Sequence, residues 1–132
     1  MRDPIQWVLN RMPPSGDRYL EVMSMANAAK ARAFHRSFPQ YGLTPLAGLP
    51  NMAGRLGLGG LWVKDESYRF GLNAFKVLGG SFAMARYIAG ELGRDVSELS
   101  YDYLTSPDFR RDFGQATFFT ATDGNHGRGV AW

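Results

Sequence analysis

From Ala74 to about Leu92, apolar side chains return every three or four residues, at Leu78, Phe82, Ala85, Ile88, Ala89 and Leu92. That period belongs to an α-helix with one buried face. A helix of this kind is stable only when its apolar stripe is laid against other elements. Asn73 stands where an N-cap is expected, which makes Lys76 the third residue of the first turn. The chain must therefore build packing partners around a helix that carries a lysine at its head.

Upstream, Met25–His35 is alanine-rich and reads as helix, with Ser24 as N-cap and Pro39 as the stop. Residues 1–18 hold Pro4, Pro13, Pro14 and Gly16 and read as an irregular arm, with at most a helical turn at Ile5–Leu9. Tyr41–Leu46 is extended, because a residue before proline avoids the helical region. A short helix at Asn51–Leu56 is ended by Gly57, Gly59 and Gly60, and Leu61–Asp65 reads as a strand. Downstream, residues 97–113 read as a helix bent or divided by Pro107. Ala116–Thr122 is β-branched and aromatic and reads as a strand, and a last helix opens near Gly124–His126. Strand, helix, helix, strand, helix predicts an α/β fold with parallel pairing. The run Gly127–Trp132 carries no helix stop signal, which predicts a chain truncated at its C-terminus.

Composition narrows the functions open to such a chain. There is no apolar run of about 18 residues, so no membrane span is expected. Cysteine is absent and histidine occurs only at His35 and His126, so no metal site is expected and a reducing cytoplasm fits. The net charge is +3, yet the arginines are scattered and the Arg110–Arg111 pair is flanked by Asp108 and Asp112. Nucleic-acid binding wants clustered basic residues, so none is expected. Gly57–Gly60 precedes a strand, and Gly124–Gly129 has the wrong glycine spacing, which argues against a dinucleotide site.

Two segments could carry chemistry. A cation in the first turn of a helix meets the positive end of the macrodipole, and burial beside Phe75, Val77 and Leu78 disfavours it further. Both effects favour a neutral Lys76 amine, the form that attacks a carbonyl; the plain alternative is a lysine that snorkels to solvent. The second segment, Thr120–Gly127, is a strand end running through a glycine-containing loop into a helix, where open α/β sheets bind ligands. There Asp123 could act as a base and Asn125 could hydrogen-bond a cofactor oxygen. Alternatively, Asp123 caps the last helix and Asn125 shapes the turn.

Lys64-Asp65-Glu66-Ser67 followed by Asn73-Ala74-Phe75-Lys76, and later Asp123-Gly124-Asn125-His126-Gly127, resembles the lysine and asparagine-loop motifs of fold-type-II pyridoxal-phosphate (PLP) enzymes. Within that group, Arg69–Lys76, Thr122–Trp132 and Lys30–His35 resemble the diaminopropionate ammonia-lyases. Threonine and serine dehydratases usually carry serine two residues before the lysine and a small residue before the Gly-Asn pair. This chain has Ala74 and Asp123 there.

The resemblance implies the N-terminal part of a PLP-dependent catalytic domain over residues 1–132, with a parallel sheet and flanking helices. It implies α,β-elimination of 2,3-diaminopropionate to pyruvate and ammonia by a cytoplasmic homodimer. Lys76 would hold the cofactor covalently and take the α-proton of one enantiomer. Asp123, on the opposite face, would take it from the other, and Asn125 would bind the ring hydroxyl. The family's phosphate loop lies beyond the end of this sequence, so the 132 residues are expected to be inactive by themselves. A dehydratase-like lyase, a remnant without function and a small interaction domain are the alternatives.

Overall fold

Ser24 opens the first helix as expected. In the computed structural model, which describes Leu9, Arg11, residues 21–122 and residues 124–132, its hydroxyl accepts the Asn27 amide at 3.3 Å. Helix α1 (Met25–Arg36) follows. Apart from Leu9 and Arg11, the arm expected over residues 1–18 lies outside the described residues. The Ser37 hydroxyl donates to Phe34 O at 2.7 Å and accepts the Tyr101 amide at 2.9 Å, tying the end of α1 to a later segment.

Strand β1 (Leu46–Gly48) and strand β2 (Trp62–Lys64) flank helix α2 (Pro50–Leu56). Pro50 sits at the head of α2, where its missing N–H costs nothing. Gly57 ends the helix in the left-handed region (φ 65°) and turns the chain back beside β1. The strands pair antiparallel, Leu46 with Lys64, Ala47 with Val63 and Gly48 with Trp62. The one sheet among the described residues is this two-stranded antiparallel one, so the parallel pairing expected from the sequence is not seen among them. Ala116–Thr122, expected as a strand, forms none. β-propensity only makes a segment fit for a sheet, and a strand forms only where a neighbouring ladder takes up its N–H and C=O groups.

Helix α3 (Lys76–Glu91) is the predicted amphipathic helix, shorter by two residues at its start. Its stripe is buried through Ala85, Ile88 and Ala89, which form the core with Phe34 of α1 and with Val96 and Leu99. Phe38, Phe82, Leu92, Phe109 and Phe113 pack around them. The helix expected over 97–113 is divided into a 3-10 turn (Val96–Glu98), α4 (Tyr101–Leu104) and α5 (Pro107–Phe113). Three successive caps cause the division: Asp95, Ser100 and Ser106 each take backbone amides and restart the chain. Helix α6 (Asn125–Ala131) closes the chain against α3. No helix of the described residues is long and apolar enough to cross a membrane.

Candidate active site

Lys76 is the first residue of α3, not the third, because Asn73 does not cap the helix. The 3-10 turn Glu66–Gly71 breaks at Phe70 (φ 50°), and Gly71 (φ 70°) and Asn73 (φ 54°) are also left-handed. Asn tolerates that region better than most residues, so the feature read as a cap is a turn residue instead. Lys76 is half-buried, with Nζ 4.8 Å from the centroid of the exposed Phe75 ring. It lines a cavity of about 460 Å³ together with Phe75, Leu78, Gly79, Gly80, Ala83 and His126. His126 thus shares a wall with Lys76.

The loop before α6 is organised by Thr122. Its Oγ1 accepts the amides of Gly124 at 3.0 Å and Gly127 at 2.6 Å. Gly124 has φ 117°, a value that suits glycine. Thr122 therefore satisfies two amides at the head of α6; Asp123 lies outside the described residues. Asn125 is the first residue of α6 and is exposed. Gly129 brings the two segments together. A Cβ there would stand 2.9 Å from both Val77 Cα and Val77 N, and 3.3 Å from the Lys76 carbonyl carbon. Only a glycine lets α6 approach the backbone at the head of α3 this closely.

Upstream of Lys76, Arg69 and Thr44 are buried. Arg69 donates through Nε to Glu66 Oε2 at 2.8 Å and through Nη2 to Glu66 Oε1 at 3.0 Å. It also donates to Gly42 O at 2.9 Å and Thr44 Oγ1 at 3.2 Å, and its guanidinium lies 5.4 Å from the Tyr41 ring centroid. The Thr44 hydroxyl donates to Glu66 Oε1 at 2.6 Å, and Lys64 donates to Thr44 O. The hydrogen bond from Arg69 holds the Glu66 carboxyl below its ordinary range, and the same bond raises Arg69 above its own. This network was missed from sequence. Glu66 and Arg69 share the i,i+3 spacing of an ion pair, but nothing local reveals Thr44 as their third member.

The family model for pyridoxal-phosphate dependent enzymes matches residues 38–132. The diaminopropionate ammonia-lyase of Salmonella typhimurium (strain LT2) is 53% identical over 100 residues, covering 76% of this chain and 25% of that protein. The apo crystal structure of the Escherichia coli diaminopropionate ammonia-lyase superposes with a TM-score of 0.73 at 45% identity, over 84% of this chain and 29% of that one. The Escherichia coli enzyme in complex with an aminoacrylate–PLP azomethine reaction intermediate gives a TM-score of 0.70 at 43% identity, over 84% and 26%. The chain spans about a quarter of the length of the curated relatives it matches.

Proposed function

The chain belongs to the pyridoxal-phosphate-dependent enzymes, and from that premise we propose that it supplies the lysine segment and asparagine loop of a diaminopropionate ammonia-lyase. The reaction would convert 2,3-diaminopropionate to pyruvate and ammonia. The observation that carries the reading is the seating of Gly129 against Lys76–Val77, which unites the two motif-bearing segments at one cavity. Support for the substrate comes from the 53% identity to the Salmonella enzyme, together with Ala74 and Asp123 at positions where dehydratases usually differ.

The walls around Lys76 fit a flat pyridine ring. The cavity's size is in the range of small-molecule sites. Gly79 and Gly80 leave one wall bare: a Cβ at Gly79 would meet nothing within 4 Å, and one at Gly80 only Val130 Cγ2 at 3.9 Å. When bound, PLP supplies an electron sink for charge at the substrate α-carbon. Lys76 Nζ would hold the cofactor covalently and take the α-proton on one face. The Asp123 carboxylate would take it on the other face, and the Asn125 amide would orient the ring through its hydroxyl. In the catalytic domain of which residues 1–132 would form the N-terminal part, Ala116–Thr122 would join a parallel sheet, for which its β-branched and aromatic side chains suit it. The enzyme would act as a homodimer in the cytoplasm.

Borohydride reduction of the PLP-loaded full-length protein, followed by peptide mapping, tests the assignment. The label is expected on Lys76, and ammonia release is expected to be faster from diaminopropionate than from serine or threonine. A label on Lys30 or Lys64 overturns the cofactor assignment. A higher kcat/KM for threonine hands the function to a dehydratase-like lyase.

A further inference from the structure

The connection from β2 to α3 is built unlike an ordinary loop. It begins with a bidentate ion pair between the buried Arg69 and the half-buried Glu66, and no buried side-chain polar atom among the described residues lacks a hydrogen bond. Such a pair is a poor source of stability compared with apolar packing, but its fork geometry fixes orientation closely. Directly after it come Phe70, Gly71 and Asn73, all left-handed. A Cβ-bearing residue keeps that conformation only where its surroundings impose it. The surroundings of Phe70 are explicit. Its ring is buried against Phe38, Tyr41 and Trp132, with the Trp132 ring centroid 4.7 Å away. At the far end of the connection the backbone of Lys76 and Val77 is held by Gly129. The turn is therefore clamped at both ends, and the residue released from it is Lys76.

We infer that Arg69, held by Glu66 and Thr44, is a positioning residue for Lys76. Together with the packed Phe70 ring, the pair imposes the left-handed turn and so fixes where Nζ stands in its cavity. Arg69 acts through the backbone and touches neither cofactor nor substrate. The inference rests on the assignment of Lys76 as the cofactor-bearing lysine, and a displaced amine would hold the cofactor less tightly.

The test uses the full-length protein loaded with PLP and follows release of the cofactor by hydroxylamine through its visible absorbance. Glu66→Gln and Thr44→Val are each expected to speed release on the order of tenfold, since a small displacement of a reacting group changes rates by such factors. Thr44→Ser, which restores the hydroxyl, is expected to bring release back to the wild-type rate. Thermal melting of the apo proteins runs alongside, and if Glu66→Gln does not fold, Thr44→Val carries the comparison. Melting temperatures that fall while release from the folded fraction keeps its wild-type rate would show the network to be ordinary packing and overturn the inference. Borohydride labelling of the wild type away from Lys76 would instead remove the reading on which it rests.

Discussion

His35 is buried in the α1–α3 contact with its ring edge toward helix backbone. The Ser81 hydroxyl donates to Val77 O at 2.7 Å, so His35 Nε2–H is the donor to Leu78 O at 3.0 Å and to Ser81 Oγ at 3.2 Å. Burial lowers its pKa from the ordinary value, against the raising effect of the bonds to backbone carbonyls. The folded state thus resists a proton that the unfolded chain takes up below about pH 6.5. Stability is expected to be full above that pH and to decline as pH falls toward the depressed folded value, before the carboxylates titrate. Melts from pH 8 to 5 check this, with His35→Gln flattening the dependence; a wild-type curve flat over that range would contradict it. Asp123 gives a second test. In the full-length protein, Asp123→Asn is expected to impair one substrate enantiomer by about 10²–10⁴ and the other much less, as loss of one positioned base should. Equal losses for both enantiomers would remove the two-base assignment. The place of Lys76 near the head of α3 was legible in the sequence from the apolar stripe that follows it. The Thr44–Glu66–Arg69 network was not, because its members meet only after the chain has folded back.

Among the elements, α3 was the most legible because a 3.6-residue stripe needs no knowledge of its partners. Its start was misread for a local reason: Asn serves both caps and left-handed turns, and only the backbone decides between them. The division of residues 97–113 at Pro107 was legible, whereas the further break before Tyr101 was not, because Ser100 caps a new helix there. What sequence could not supply was the distance between α3 and α6. Gly129→Ala would put a methyl 2.9 Å from the Val77 backbone, which cannot rotate away as a side chain could. The substitution is expected to cost about 1–3 kcal/mol, as overpacking does, and to weaken cofactor retention together with stability. Chemical denaturation and PLP titration of the variant check both. A variant as stable and as cofactor-tight as wild type would show that the close approach is dispensable.

At the scale of the whole molecule, the apolar surface is unevenly covered. Phe34, Ala85, Ile88 and Ala89 are buried between α1 and α3, yet Phe119 is 91% exposed, Leu43 86% and Trp62 63%. Both strands of the sheet are exposed along their length, and a lone two-stranded ribbon is marginally stable. Exposed edges of this kind template pairing with other chains. The 132 residues expressed by themselves are therefore expected to self-associate as concentration rises. They are also expected to take up PLP without tight saturation or turnover. Sedimentation and an absorbance titration test this, and a monomer that saturates at submicromolar PLP and turns over would refute it. At Ala116–Thr122 the sequence shows a β-propensity and the described residues show no strand, since pairing belongs to two segments rather than one.

Trp132 follows α6 with its indole against Phe70 and Phe38, 4.7 and 5.7 Å between ring centroids. It therefore joins the end of α6 to the turn that delivers Lys76. In optical terms the chain carries its own emitter at that junction. Indole fluorescence overlaps the absorbance of a lysine-bound PLP, so Trp132 doubles as an energy donor whose brightness and colour track the docking of α6 on α3. With Trp7 and Trp62 replaced by Phe, cofactor loading and helix seating can be followed in one spectrum from these residues, without an added dye.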